Sequence, residues 1–387
     1  MGGCSVACLV LLISVFADGA EATEPEPAEV VVIATQHFIT DMPDGYTPAH
    51  LRLLLKKVEP DILAVEAPAN VPDPWAHAPM DLWRVTKPWA EANSAEMAPV
   101  GWYERHYRAR LNRMFQIFRA RGQTAAYQTI EQKFQLESAR HPPTCEYLNG
   151  EAAHRLWREY HTGLHRLYGK DTPWEEWNAK IAANIGKVCR KHEGRRIAVL
   201  FGSAHCYYII DALATVEGVQ VIPVERFFPL SLDEIDAQTV PKDYVNALRP
   251  LNFPNYGGLS APALQRLETF LRKVEGFPEL QGDYHLFRGK LLLHRLKPQE
   301  ALLEFEKVAA LDADVLSASD GHTRLREAGL VFTAVAKDQA GKHLEARQDL
   351  LSVIKTEGIS PRIRQWAEQI LESILAEPQR PEAQPAR

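Results

Sequence analysis

The chain is poor in cysteine, has no surplus of basic charge and holds no long apolar run. Five cysteines in 387 residues cannot build a disulfide-stapled fold, and their spacing fits no zinc ribbon. A net charge of −6 argues against a nucleic-acid scaffold, which would present a basic face. No segment approaches the roughly 18 apolar residues that a membrane-spanning helix needs, so the processed chain is expected to be soluble. Phosphate-loop, Gly-x-Gly-x-x-Gly, His-Glu-x-x-His and Gly-x-Ser-x-Gly motifs are also missing. What is present is an ordinary globular composition, 46% hydrophobic and 24% charged, over a length that suits two domains.

The first 22 residues differ from the rest. Residues 6–16 (VACLVLLISVF) form an apolar run of 11 residues, too short for a bilayer span and suited to a signal-peptide core. Ala20-Glu21-Ala22 offers an A-x-A cleavage site, with Ala17 a second candidate, although residues 1–5 lack the usual Lys or Arg. The expectation is a cleaved export signal over 1–22 and an extracytoplasmic protein, periplasmic or secreted. Cleavage leaves Cys145, Cys189 and Cys206, an odd number, so at least one thiol stays free.

Residues 23–29 (TEPEPAE) read as a linker, and 30–225 as an α/β domain with a parallel-containing sheet of βαβ-type units. Residues 30–35 (VVVIAT) are a buried strand. Thr47-Pro48 opens a helix with Leu51, Leu54, Leu55 and Val58 on one face, and residues 62–65 (ILAV) are a second strand ending at Glu66. Residues 68–99, rich in Pro, Trp and Ala, read as an irregular excursion; its tryptophans could form a substrate lid or simply pack it down. A large helical insertion fills 101–192. Residues 196–201 (RIAVLF) are a third strand, followed by Gly202-Ser203-Ala204-His205, a helix over 207–216 and a strand over 219–224. Residues 226–280 read as a Pro/Gly-rich connector and 376–387 as a disordered tail. Between them, 281–375 pair amphipathic helices with small residues, Gly289 and Ala301, where the helices should touch. That text resembles tetratricopeptide repeats and predicts an all-α domain able to hold a protein partner.

Ligands of open parallel sheets bind beyond the carboxyl ends of the strands. His37, Glu66 and His205 each follow a strand there. Singly each has a bland structural reading, weakest for Glu66, because a carboxylate straight after an apolar strand must be paired. Together they suit either a divalent transition metal or a metal-free acid–base site, and both alternatives stay open. Cys206 reads as a small buried residue. Of Arg105, Arg108 and Arg110, any one could reach the cluster.

The text VVVIATQHFI, PDILAVEAP and RIAVLFGSAHCYYIIDAL resembles the TraB/PrgY, GumN, Tiki, ChaN-like and erythromycin-esterase-like superfamily over residues 30–225. The resemblance implies that His37, Glu66 and His205 are catalytic or metal-binding. It also implies that Gly202 belongs to the second Gly-x-x-His motif and that Asn178 belongs to a motif on the preceding helix. Asn178, Gly202 and Ser203 would then contact or orient substrate. Two positions depart: Ala34 replaces a motif glycine, and Trp177 stands where an arginine is usual. The expected activity is hydrolysis of a small-molecule or peptide substrate. The alternative is a non-catalytic protein that captures haem or another ligand.

Overall fold

The computed structural model describes residues 26–36, 45–79, 81–252, 259–319, 321 and 323–376. The expected signal segment, residues 377–387 of the expected tail and His37 lie outside these residues, while Ala376 ends the last helix.

The N-terminal part is an α/β unit on a five-stranded sheet. Its strands are β1 (Ala28–Thr35), β2 (Ile62–Pro68), β3 (Glu96–Gly101), β4 (Arg196–Gly202) and β5 (Val219–Val221). Their order is β3-β2-β4-β1-β5, and all the pairings are parallel. The apolar runs of β1, β2 and β4 do not alternate because they are covered on both faces, as parallel strands are. Helix Pro48–Val58 packs beside helix Leu232–Gln238, and helices Pro173–Lys191 and Ser203–Leu213 pack together against the sheet. Leu51, Leu54, Leu55 and Val58 are buried as their spacing requires.

Three expectations need correction. The 68–99 excursion is more ordered than its prolines suggest, since helix Lys87–Asn93 lies within it and β3 closes it. Pro99 hid this strand; an edge strand tolerates proline because one side of it has no ladder to complete, and β3 is an edge. The connector is largely helical, with helices Leu232–Gln238, Pro241–Ala247 and Ala261–Glu275. Pro241 and Pro262 stand in first turns, where the missing N–H is no loss. The α/β core also runs past residue 225, through Leu230 and Ile235. At its other end it takes in Ala28 and Glu29, the end of the expected linker, as the start of β1.

From Ala261 to Ala376 the named elements are all helical, the main ones being Gln281–His294, Pro298–Ala309, Leu325–Gln339, His343–Lys355 and Pro361–Ala376. Consecutive helices pack together around Leu286, Phe305, Val331 and Leu350. Gly289 touches the next helix at Phe305, and Gly329 lies against the backbone of Ala309. Arg84 donates to the carbonyl of Ser319, which joins this stack to the α/β unit.

Candidate functional site

β4 lies between β2 and β1, which brings the ends of the three predicted strands side by side. Thr35 of β1 is in register with Gly202 of β4, and Val65 of β2 with Leu200. The connection leaving β2 leads toward β3 and that leaving its neighbour β4 leads the other way, toward β5. Neighbouring strands whose connections diverge in this way leave a crevice at their carboxyl ends.

Glu66 and His205 meet at this edge. Glu66 Oε2 accepts the backbone N–H of Gly202 at 2.8 Å, and its Oε1 lies 3.8 Å from His205 Nε2. The helix after β4 starts at Ser203, earlier than its apolar pattern indicates, so His205 stands in its first turn and not in a preceding loop. The amide of Gly202 is thereby paired with Glu66. Ser203 opens the helix and is half-buried.

Asn178 sits behind His205. Its Oδ1 is 2.7 Å from His205 Nδ1, and its Nδ2 donates to the carbonyl of Trp174 at 2.9 Å. The second bond orients the amide, so Oδ1 is the atom that faces the imidazole and Nδ1 must donate to it. The neutral ring then keeps its lone pair on Nε2, toward Glu66. Asn178 is 0% exposed, and the partner its Oδ1 faces is His205.

Aromatic rings hold His205 from the sides. Trp174 stacks on it at 4.3 Å, Trp177 meets it edge-on at 5.5 Å and Phe201 edge-on at 5.7 Å. Trp177 Nε1 is fixed by the carbonyl of Trp102 at 2.7 Å. Trp174 also stacks on His161, at 4.7 Å with the planes 1° apart. Burial, assisted by the positive charge that His205 carries when protonated, pushes the His161 pKa down to about 3. Sequence reasoning passed over His161, although it is buried about one turn before Leu164 on the same helix. Asn149 was missed too: its Oδ1 accepts the backbone N–H of Ala34 at 2.7 Å, near the end of β1. The Asn149-Gly150 pair is the one signal that marked it, and it reads equally well as a turn.

Other candidates resolve simply. Arg110 pairs with Glu104 and Glu176, next to Trp177. Trp75, Trp89 and Trp102 pack against the core, which favours the packed-down reading of the tryptophans, while Trp83 is exposed. Cys145, Cys189 and Cys206 are free and buried, and burial pushes all three thiols up. A groove of mixed lining, with Lys133, Glu137, Arg155 and Glu159 beside Tyr147 and Leu156, shares no residue with the Glu66–His205 cluster. Among the described residues, one group of three side chains could hold a metal ion: His165, Asp171 and Glu175, whose donor atoms lie within 4.8 Å of one another.

Comparison with protein-family models, curated proteins and solved structures found no match to this chain.

Proposed function

We propose that the chain is an exported hydrolase whose working groups are His205 and Glu66, with His37 as a third member. The observation that supports it is the relay from Asn178 through His205 to Glu66. A buried amide sets the tautomer, the imidazole presents Nε2, and a carboxylate anchored on a backbone N–H faces it. Such an imidazole can take a proton from water that attacks a carbonyl, while the carboxylate stabilises the imidazolium that forms. The Trp174 and Trp177 rings exclude bulk water from its sides, which strengthens both effects.

A divalent transition metal fits the two described donors. His205 Nε2 and Glu66 Oε1, at 3.8 Å, are spaced close to the ~3.3 Å expected of neighbouring ligands with bonds of about 2 Å. When bound, such an ion would lower the pKa of a coordinated water. The helical stack would hold a protein partner or the substrate; Leu303 and Leu344, both exposed, lie on its outer surface.

A second reading, capture of haem or another ligand without turnover, draws support from Trp177. An aromatic edge stands beside His205 where a hydrolytic site of the resembled superfamily carries a cation. A broad esterase and peptidase screen, with and without added divalent metal, separates the two. Hydrolysis that is lost in His205→Ala while the thermal melt is kept supports the hydrolase. No turnover under any condition, with tight ligand retention, supports capture.

A further inference from the structure

We propose a second site, a divalent-metal clamp at His165, Asp171 and Glu175. It is separate from the strand-end cluster and does not depend on whether His205 performs chemistry.

These residues flank the turn between helices Glu151–Tyr168 and Pro173–Lys191, and that turn is pinned at both ends. Gly169 closes the first helix in a left-handed conformation, at φ 75°. Thr172 and Glu175 form a capping box on the second: Glu175 N–H donates to Thr172 Oγ1 at 3.2 Å, and Thr172 N–H to Glu175 Oε2 at 2.7 Å. The side chains are therefore presented by a preset backbone, as a metal site requires.

Two carboxylates converge on one imidazole nitrogen. His165 Nδ1 lies 2.9 Å from Glu175 Oε1 and 3.9 Å from Asp171 Oδ1. Neighbouring ligands on an ion with bonds of about 2.0–2.2 Å sit roughly 3–3.4 Å apart, so small side-chain movements suffice to seat one. The local charge also calls for a cation. Among the described residues no lysine or arginine pairs with Asp171 or Glu175, and the two carboxylates add to burial in pushing the Tyr208 hydroxyl up. Lys170, the nearest lysine in sequence, lies over the Tyr168 ring at 5.1 Å.

One imidazole with two carboxylates selects a borderline divalent ion such as zinc. Three protein donors on an exposed turn leave the remaining positions to water. Asp171, with a side chain 74% exposed, closes the set from outside. A bound ion would fasten together the two helices that carry His161, Trp174 and Asn178, the groups behind His205.

Zinc titration of the chelator-treated full chain tests this, with stoichiometry read by elemental analysis and affinity by competition with a chromophoric chelator. Asp171→Asn and His165→Ala remove ligands and leave the Glu175 cap intact; His205→Ala reports on the strand-end cluster. The expected result is one zinc equivalent that Asp171→Asn and His165→Ala weaken by at least about tenfold, the lower end of what losing even an outer partner costs. His205→Ala keeps that equivalent. Melts without metal should match for wild type and Asp171→Asn. The proposal is overturned if the chain takes up no zinc, or if the zinc it takes is lost in His205→Ala and unchanged in Asp171→Asn and His165→Ala.

Discussion

Asn178 Oδ1 and His205 Nδ1 are 2.7 Å apart, and the amide that makes this contact is itself held by the carbonyl of Trp174. The bond joins two helices and sets which imidazole nitrogen of the neutral ring carries the proton. Asn178→Ala should cost about 1–3 kcal/mol of stability, because it leaves a buried N–H without its acceptor. It should also mix the tautomers of His205, which long-range proton–nitrogen NMR reads directly. If the hydrolase reading holds, turnover falls by roughly a hundredfold or more, the scale of a general base held wrongly. A wild-type His205 that carries its proton on Nε2 would contradict the arrangement.

His161 should make the fold acid-sensitive. Its folded pKa of about 3 lies below its ordinary value of 6.5. As pH falls from 6.5 toward 3 the unfolded chain takes up the proton and the folded chain does not. Stability that is complete above 6.5 is then lost at up to about 1.4 kcal/mol per pH unit. His161→Phe keeps a ring against Trp174 and removes the titration, so its denaturation midpoint should fall less between pH 7 and pH 4. Burial lowers His154 and His50 in the same direction, so a residual slope remains. Equal slopes in the two proteins would show that His161 does not titrate this way.

Native protein beginning at residue 26 should give no rapid reaction with a thiol reagent, and denatured protein should give three equivalents. All three thiols are buried with their pKa raised, and Cys206 donates weakly to the carbonyls of Phe201 and Gly202. A fast equivalent in native protein that disappears in Cys206→Ser would make that thiol accessible and reopen a role for it.

Gly329→Ala should destabilise the helical stack by about 1–3 kcal/mol, the usual cost of overpacking a close crossing. An added Cβ would stand 2.6 Å from the backbone nitrogen of Ala309, and backbone cannot swing away as a side-chain tip can. Denaturant unfolding of the two proteins measures it, and an unchanged midpoint would mean the helices can part freely.

The buried strands are legible because both faces are covered: VVVIAT, ILAV and RIAVLF are apolar at nearly every position, and each is a strand in the structure. β3 is not, since its EMAPVG text has neither alternation nor a β-branched run, and its place at an edge relieves it of both requirements. Glu66 and His205 can be paired from sequence because one lies near the end of β2 and the other just beyond the end of β4. His161, Asn149 and the part played by Asn178 cannot, because each depends on a partner far along the chain whose proximity only packing decides. The connector misleads because proline looks the same in a loop and in the first turn of a helix.

The central position of β4 also governs how the chain can be made. β1 and β2 leave the ribosome early, yet neither pairs with the other; both wait for a strand that begins at Arg196. Until then two apolar ribbons have open edges. A nascent chain shorter than this has no continuous sheet to fold onto and must be kept from pairing with its neighbours. Contacts that span so much sequence also place this unit among the slower folders. Export, as proposed, would gain from that delay, because the chain would cross a membrane before its sheet can close.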